Sequence, residues 1–203
     1  MNERLKATSD GGLVVFTGSM KRLLTIPVLT VAGLWNSGPQ HWQTLWEAAH
    51  PSWRRVPQRD WDRPDLDDWV EALNDAVRAC PSPPLLAAHS LGCALVAQWV
   101  LDRGGHGVRG AFLVAPSDVE QADYPVEGRS FSSMPLQRFP FPSLLVTSSN
   151  DPYVTLQRAT QFADVWGSRM IEVGPAGHIN GASGHGAWPE GLAMFEQFAA
   201  STA

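Results

Sequence analysis

Cysteine is scarce in this sequence, and long apolar runs and clusters of basic charge are missing. The 203 residues include two cysteines, Cys80 and Cys93, with no CxxC pair and no Cys/His cluster of metal-ligand spacing. We therefore expect both thiols to be reduced and unliganded, and we expect no metal site.

Lysine and arginine do not occur in long runs, and the formal net charge is -5 at pH 7. Nucleic acids and anionic membrane surfaces are usually bound by basic patches, so the sequence predicts neither as a partner. No apolar stretch reaches the roughly 18 residues that suggest a transmembrane helix. We accordingly expect no membrane association and interpret the protein as soluble and cytoplasmic.

Length and composition are typical of one globular domain. Of the 203 residues, 44% are hydrophobic and 17% are charged, and no low-complexity segment interrupts them. We predict a single domain over residues 26–203, preceded by an extension, residues 1–25, of uncertain structure. Leu13–Phe16 has the composition of a short strand, although the extension also fits a leader or a misassigned start, and we assign it no function.

Short apolar runs alternate with amphipathic stretches from Pro27 onward. This alternation predicts an α/β fold with a mostly parallel central sheet and helices on both faces. The predicted strands are Val28–Ala32, a short strand around Arg55 and Val56, Leu85–Ala88, Gly110–Ala115, Ser143–Ser148 and Arg169–Val173. The predicted helices are His41–Ala49, Leu66–Ala79, Cys93–Leu101 and one between Asp151 and Arg169.

The segment Ala88-His89-Ser90-Leu91-Gly92 joins a predicted strand to a predicted helix. A serine on such a sharp turn needs small residues two positions before and after it, because strand and helix pass closely. Ala88 stands where glycine is usual, and its methyl group is still small enough for strand and helix to pass closely. The turn predicts Ser90 as a nucleophile and the Leu91 amide as an oxyanion donor. Ordinary strand-to-helix turns share this pattern. The assignment of Ser90 therefore depends on whether the sequence also supplies a base and a carboxylate.

An activated serine needs a base and a carboxylate, which follow it in the order Ser, Asp or Glu, His in this type of fold. Asp151 lies just beyond the strand Ser143–Ser148, and His178 lies in a glycine-rich loop after Arg169–Val173. Because catalytic groups gather at the carboxyl ends of parallel strands, we predict Ser90, Asp151 and His178 as a catalytic triad.

Two alternatives stay open at this point. Asp118 follows the strand Gly110–Ala115 and competes with Asp151 as the acid. Asp151 is preferred because one helix separates it from the next strand, which leaves it and His178 on adjacent strand ends. His185 competes with His178, but no strand directly precedes it, and we expect it to line the pocket or to cap.

Four further residues are candidates for lining a pocket: Trp35, Asn36, His41 and His89. Asn36 and His41 also fit ordinary helix-capping chemistry. The side chain of His89 is expected to point away from Ser90 and to pack through a hydrogen bond.

The connection from Ala115 to Ser143 is short for a lid, which predicts an open pocket.

Trp42, Trp46 and Trp69 recur at helical spacing and are expected in the core rather than in the pocket.

Four motifs occur in a characteristic order. They are Gly33-Leu34-Trp35-Asn36-Ser37-Gly38 with His41-Trp42 and Trp46; His89-Ser90-Leu91-Gly92; Ser149-Asn150-Asp151-Pro152; and Gly177-His178-Ile179-Asn180 with Gly184 and Trp188-Pro189. From Val28 onward, the chain resembles the small serine hydrolases grouped with the retinoblastoma-binding protein 9 and YdeN. The resemblance implies a minimal α/β-hydrolase fold without a large lid domain, the same triad, no metal and no organic cofactor. It also implies a second oxyanion donor, which we place at the Leu34 amide.

These observations predict a serine hydrolase that forms an acyl-enzyme, with a small-molecule ester as substrate. An amidase or aminopeptidase is one alternative, because the triad would be the same and only the leaving group would differ. A noncatalytic protein-binding member of the fold is another, since a fold does not guarantee activity. The complete set of Ser90, Asp151 and His178 argues against this last alternative.

Overall fold

A computed structural model describes residues 26–202, which contain a six-stranded parallel sheet. The strands are β1 (Val28–Val31), β2 (Arg54–Arg55), β3 (Leu85–His89), β4 (Gly110–Val114), β5 (Ser143–Thr147) and β6 (Arg169–Glu172). They lie in the order β2-β1-β3-β4-β5-β6. The predicted parallel α/β architecture is therefore confirmed, whereas the strand suggested at Leu13–Phe16 falls outside the described residues.

Five α-helices connect or follow these strands within the described part of the chain. They are α1 (Trp42–Ala49), α2 (Leu66–Ala79), α3 (Leu91–Arg103), α4 (Leu156–Trp166) and α5 (Pro189–Ser201). The elements predicted with stated bounds differ from these by at most two residues at each end, the helix predicted between Asp151 and Arg169 is α4, and α5 is not among the predicted helices.

The helix α2 has the predicted bounds because its ends carry strong local signals. The side chain of Asp65 accepts a hydrogen bond from the Asp68 amide at 3.1 Å and so caps the first turn. Asp67 and Asp68 add negative charge where the helix dipole favours it. The Pro81 ring then prevents the helix from continuing.

Side chains alternate between the two faces of the sheet, as the pleat of a strand requires. Leu29 and Val31 pack into one apolar cluster with α2, α3 and α4, whereas Val28 packs into a second cluster with α1 and α5. The helices therefore cover both faces, as predicted. Trp42, Trp46 and Trp69 are at most 2% exposed, which confirms them as core residues.

The direction of the chain through the sheet reverses between β1 and β3. After β1 the chain runs to the edge strand β2 and then returns to the other side of β1 to form β3. In open parallel sheets, a crevice forms beyond the carboxyl ends of the strands at such a point. The loop that begins at Gly33 and the turn at Ser90 both face this crevice.

The connection between β4 and β5 packs onto the core. Its aromatic side chains Tyr124, Phe131, Phe139 and Phe141 are buried in the cluster that contains α2, α3 and α4. Within residues 26–202, this connection consequently forms no separate lid domain. No helix in the same range has the length and apolar character to cross a bilayer.

Candidate active site

Ser90 occupies the sharp turn between β3 and α3. Its backbone has φ 57° and ψ −127°, a conformation that residues other than glycine rarely adopt. A Cβ atom on Gly92 would lie 2.2 Å from the carbonyl oxygen of Val31, so only glycine fits where the helix passes β1. Strained backbone of this kind concentrates at functional sites.

Ser90, His178 and Asp151 form a continuous chain of hydrogen-bonding groups. Nε2 of His178 lies 2.8 Å from Oγ of Ser90. Nδ1 of the same ring lies 2.9 Å from each carboxylate oxygen of Asp151. His178 is 7% exposed and the Asp151 side chain is fully buried. The structure thus brings together the three residues that the sequence analysis singles out.

The loop that carries His178 is held by the loop that carries Asp151. Oγ of Ser148 accepts a hydrogen bond from the Ala176 amide at 2.9 Å, and Oδ1 of Asn150 accepts one from the Gly177 amide at 2.7 Å. Since β5 and β6 are adjacent and parallel, both loops leave the sheet at the same edge.

The two alternative residues lie elsewhere. The carboxylate of Asp118 accepts a hydrogen bond from Nε of Arg158 at 3.1 Å and forms an ion pair with it, so it is not brought to His178. His185 borders a separate depression against α5, which corrects the expectation that it lines the pocket. The short helical turn Gly181–Ser183 redirects the chain, and the His185 amide donates to the carbonyl of Asn180.

The Leu34 and Leu91 amides are candidates for an oxyanion hole, because both belong to segments that pass beside Ser90. A Cβ atom on Gly33 would lie 2.8 Å from Cβ of Ser90 and 3.0 Å from the nitrogen of Leu91, so this loop passes directly beside Ser90. Leu91 is the first residue of α3, where the amide has no partner within the helix. Among the described residues, neither amide donates to a protein acceptor.

Arg55 fixes the shape of the loop after β1. Its guanidinium donates to Oδ1 of Asn36 at 2.8 Å and to the carbonyl of Ser37 at 3.0 Å, and it pairs with Glu47. Trp35 and Asn36 both have positive φ, of 62° and 64°, so the loop needs such support. The sequence places an arginine on the short strand β2, but it does not indicate that this side chain reaches the loop after β1.

A pocket of about 170 Å³ opens in front of Ser90. The residues that line it are Gly33, Leu34, Trp35, Asn36, His41, His89, Ser90, Ser117, Tyr124, Pro125, Tyr153, His178 and Asn180. Apart from its histidines, the lining consists of uncharged residue types. Trp35, 51% exposed, stands at the rim. The expectation that Trp35, Asn36, His41 and His89 border the pocket agrees with this lining.

His89 is buried against the ring of His178, His41 is buried against that of His89, and both are held in neutral form. Nδ1 of His41 accepts a hydrogen bond from the Gln43 amide and caps α1. Burial, followed by the charges of Arg55 and His178, lowers the pKa of His41 to about 3. Burial also lowers the pKa of His89 well below its usual value. Nε2 of His89 donates to the carbonyl of His178 at 2.9 Å, so this ring helps to hold the loop that carries His178.

Three pocket residues are absent from the sequence-based prediction: Ser117, Tyr124 and Tyr153. Oγ of Ser117 lies 2.8 Å from Oγ of Ser90. Burial raises the pKa of Tyr124 to about 12, so its phenol is neutral. The ring of Tyr153 packs against that of His178, with their centroids 4.6 Å apart. All three lie in loops beyond β4 or β5, where no local pattern indicates which side chains face the site.

Comparisons with known proteins agree with the fold. A YdeN-like hydrolase from Pectobacterium atrosepticum is 32% identical, with 93% of this chain and 99% of that chain covered and a TM-score of 0.81. The ydeN gene product of B. subtilis is 18% identical over 87% of this chain and 100% of that chain, with a TM-score of 0.68. The esterase RhEst1 from Rhodococcus sp. ECU1013 is 13% identical over 87% and 89%, with a TM-score of 0.58.

The last two similarities concern the fold alone, while the first also confirms the resemblance to YdeN-like hydrolases. A search of curated proteins finds no match. A family model described as "Serine hydrolase" matches residues 28–197, which span nearly all of the sheet and its helices. The chain therefore belongs to the serine hydrolase family.

Proposed function

We propose that this hydrolase is a carboxylesterase that acts on small, neutral esters through Ser90, His178 and Asp151. The observation that carries the proposal is the continuous contact from the buried Asp151 carboxylate through His178 to Oγ of Ser90, at 2.9 and 2.8 Å. These distances lie within the range expected for a nucleophile and its general base.

The first half of the reaction acylates the enzyme. Nε2 of His178 removes the proton of Ser90 while Oγ attacks the ester carbonyl, and Asp151 stabilises the imidazolium that forms. The Leu34 and Leu91 amides donate to the oxyanion of the tetrahedral intermediate. The imidazolium then gives its proton to the departing alcohol, which leaves an acyl group on Ser90.

The second half hydrolyses the acyl-enzyme. Water enters the position of the alcohol, His178 removes one of its protons, and the new oxygen bonds to the acyl carbon. The bond from that carbon to Oγ of Ser90 breaks as the imidazolium returns a proton to Oγ. The carboxylic acid product leaves, and the starting state is restored.

Pocket size and chemistry favour a small, neutral substrate. Drug-sized ligands occupy pockets of about 300 to 1,000 Å³, whereas this pocket measures about 170 Å³. An aminopeptidase recognises the free ammonium of its substrate, for which a carboxylate in the lining is the natural partner. Leu34, Trp35, Tyr124 and Pro125 instead offer an apolar surface suited to a short acyl chain or a small alcohol.

The decisive experiment is covalent labelling with a fluorophosphonate, monitored by intact-mass spectrometry. The expected result is one adduct on the unaltered protein and none on Ser90→Ala or His178→Ala. Ser132→Ala and His106→Ala are matched controls at exposed positions and should label like the unaltered protein. Absence of an adduct on correctly folded, unaltered protein would overturn the proposal and favour a noncatalytic binding role.

Substrate class is tested with two series of chromogenic compounds. p-Nitrophenyl acetate and butyrate should be hydrolysed with a higher kcat/KM than aminoacyl p-nitroanilides. The opposite order would retain the triad but assign the protein to the amidases, because the leaving group would then be an amine.

A further inference from the structure

Ser117 lies outside the proposed triad, yet it contacts the nucleophile through both its side chain and its backbone. It follows β4, and it is 1% exposed. Its Oγ lies 2.8 Å from Oγ of Ser90, and its amide makes a longer hydrogen bond, of 3.5 Å, to the carbonyl of Ser90. A buried hydroxyl in this position is part of the environment of the reacting oxygen.

The backbone around Ser117 is held firmly in this position. Ala115 has φ 48°, a left-handed conformation that is unfavourable for alanine. The Ala115 amide donates to the carbonyl of Val146 at 2.8 Å, and the Asp118 amide donates to the carbonyl of Tyr153 at 2.9 Å. Hydrogen bonds on both sides thus maintain a strained turn that directs Ser117 at Ser90, as is common at functional sites.

Counting protons assigns the direction of the contact between the two serines. Ionised Asp151 can only accept, so Nδ1 of His178 carries a proton when the site is ready to react. Nε2 of the neutral ring is then unprotonated, and it accepts a hydrogen bond from the single hydroxyl proton of Ser90. Ser90 has no second proton to donate, and Ser117 is therefore the donor in the contact between their hydroxyls.

We propose that Ser117 is a further catalytic residue, which donates a hydrogen bond to Oγ of Ser90 and assists its departure from the acyl carbon during deacylation. The inference rests on the proposed acyl-enzyme mechanism. When the bond between Oγ and the acyl carbon breaks, the electron pair moves to Oγ, and the proton that neutralises it comes from His178. The Ser117 hydroxyl keeps its own proton and stabilises the charge that develops on Oγ before this transfer is complete.

The same hydrogen bond does not assist acylation. In that half of the reaction Oγ of Ser90 is the nucleophile, and a donor that occupies one of its lone pairs does not make it more reactive. Loss of the Ser117 hydroxyl should therefore slow deacylation specifically. A residue that merely supported the fold would change both halves of the reaction.

The test compares the two rates in Ser117→Ala. Stopped-flow measurement with p-nitrophenyl acetate gives the acylation rate from the initial release of nitrophenol and the deacylation rate from the steady state. We expect deacylation to slow about tenfold, the effect of one hydrogen bond to a developing charge, while acylation changes by less than about twofold. Intact-mass spectrometry of quenched samples should show that the acyl-enzyme accumulates.

Two further variants separate this role from a structural one. Ser117→Cys retains a weaker donor and should give an intermediate deacylation rate. Ser143→Ala is a matched control, because Oγ of Ser143 makes an equally buried contact of 2.7 Å to Oγ of Ser168 at the other end of the sheet. Its two rates should equal those of the unaltered protein.

The inference would be overturned by unchanged deacylation in Ser117→Ala, or by equal slowing of both steps. Neither result affects the proposed function, provided that the unaltered protein still forms and hydrolyses an acyl-enzyme. If the unaltered protein forms no acyl-enzyme, the proposed function and this inference are both overturned.

Discussion

Both carboxylate oxygens of Asp151 lie 2.9 Å from Nδ1 of His178, and the Asp151 side chain is fully buried. This geometry holds the proton of the neutral ring on Nδ1 and leaves Nε2 to accept from Ser90. Asparagine at position 151 would keep the shape of the side chain, but its amide group donates as well as accepts. It would therefore permit the unproductive tautomer of His178.

Asp151→Asn is expected to lower kcat for p-nitrophenyl acetate by about 10⁴-fold while the protein still folds. Asp118→Asn is the matched control, because Asp118 pairs with Arg158 rather than with His178. This second variant should retain kcat within about threefold and lose about 1 kcal/mol of unfolding free energy, because asparagine still accepts a hydrogen bond from Arg158 and Arg158 keeps its ion pair with Glu120. If Asp118→Asn lost more kcat than Asp151→Asn, the acid that orients His178 would be Asp118 rather than Asp151.

The close passage of α3 over β1 predicts a large effect of one methyl group. In Gly92→Ala the new Cβ would meet the carbonyl oxygen of Val31 at 2.2 Å, which is backbone and has little room to move. We expect the free energy of unfolding to fall by about 3 kcal/mol or more, as measured by urea denaturation. Gly38→Ala is the control, because a Cβ there meets nothing within 4 Å, and it should change stability by less than about 0.5 kcal/mol.

Acidification should destabilise the fold in part through His41. Burial, followed by the charges of Arg55 and His178, lowers its pKa from the usual 6.5 to about 3. Between these pH values the unfolded chain binds a proton at this residue that the folded chain does not. The free energy of unfolding therefore falls as the pH decreases, by up to about 1.4 kcal/mol per pH unit for such a group.

His41→Asn removes the titrating ring and retains an oxygen that can cap α1. Its free energy of unfolding should depend less steeply on pH below about 6.5 than that of the unaltered protein. Part of the slope should persist, because the pKa of His89 is also strongly lowered. Urea denaturation at several pH values measures both slopes, with the exposed His106→Asn as a control. Equal slopes for His41→Asn and the unaltered protein would contradict the assignment.

Local patterns were sufficient to predict the sheet, four of its helices and the positions of Ser90, Asp151 and His178. The reason is geometric: strands in a parallel sheet end at one edge, so residues that directly follow different strands meet there. For Asp151 and His178, adjacent parallel strands made the prediction strong. The helix α5 is not predicted, because its N-cap residue, Trp188, has a left-handed backbone and no capping side chain, so the usual N-cap signal for a helix start is lacking.

The supporting residues could not be predicted in this way, because their positions depend on backbone turns with no local signature. Ser117 reaches Ser90 only through the left-handed conformation of Ala115, which is not a residue that favours it. His185 follows a short helical turn that carries it to a separate depression. In both cases the direction of one loop decides whether a chemically suitable side chain lies at the site.

Arg55 is a third residue whose role could not be predicted from the sequence. Its long side chain lies on an edge strand and holds the loop after β1. Its guanidinium joins Asn36 and Ser37 to Glu47, and the Leu34 amide lies in the same loop. Arg55→Met keeps much of the aliphatic packing and removes these hydrogen bonds. We expect the free energy of unfolding to fall by about 3 kcal/mol, since the partly buried Glu47 loses its partner.

Activity should be affected beyond this loss of stability, because the proposed oxyanion donor at Leu34 would no longer be held in place. At a temperature where Arg55→Met is folded, kcat is expected to fall at least tenfold, less than the roughly 10²- to 10³-fold that complete loss of an oxyanion donor costs, with a smaller change in KM. Arg54→Met is the matched control from the same strand, because among residues 26–202 the Arg54 side chain donates only to the backbone carbonyls of Pro51 and Trp53. If both variants had the same kcat, the loop after β1 would hold its shape without Arg55, and its strained turn at Trp35 and Asn36 would have to be stabilised from within.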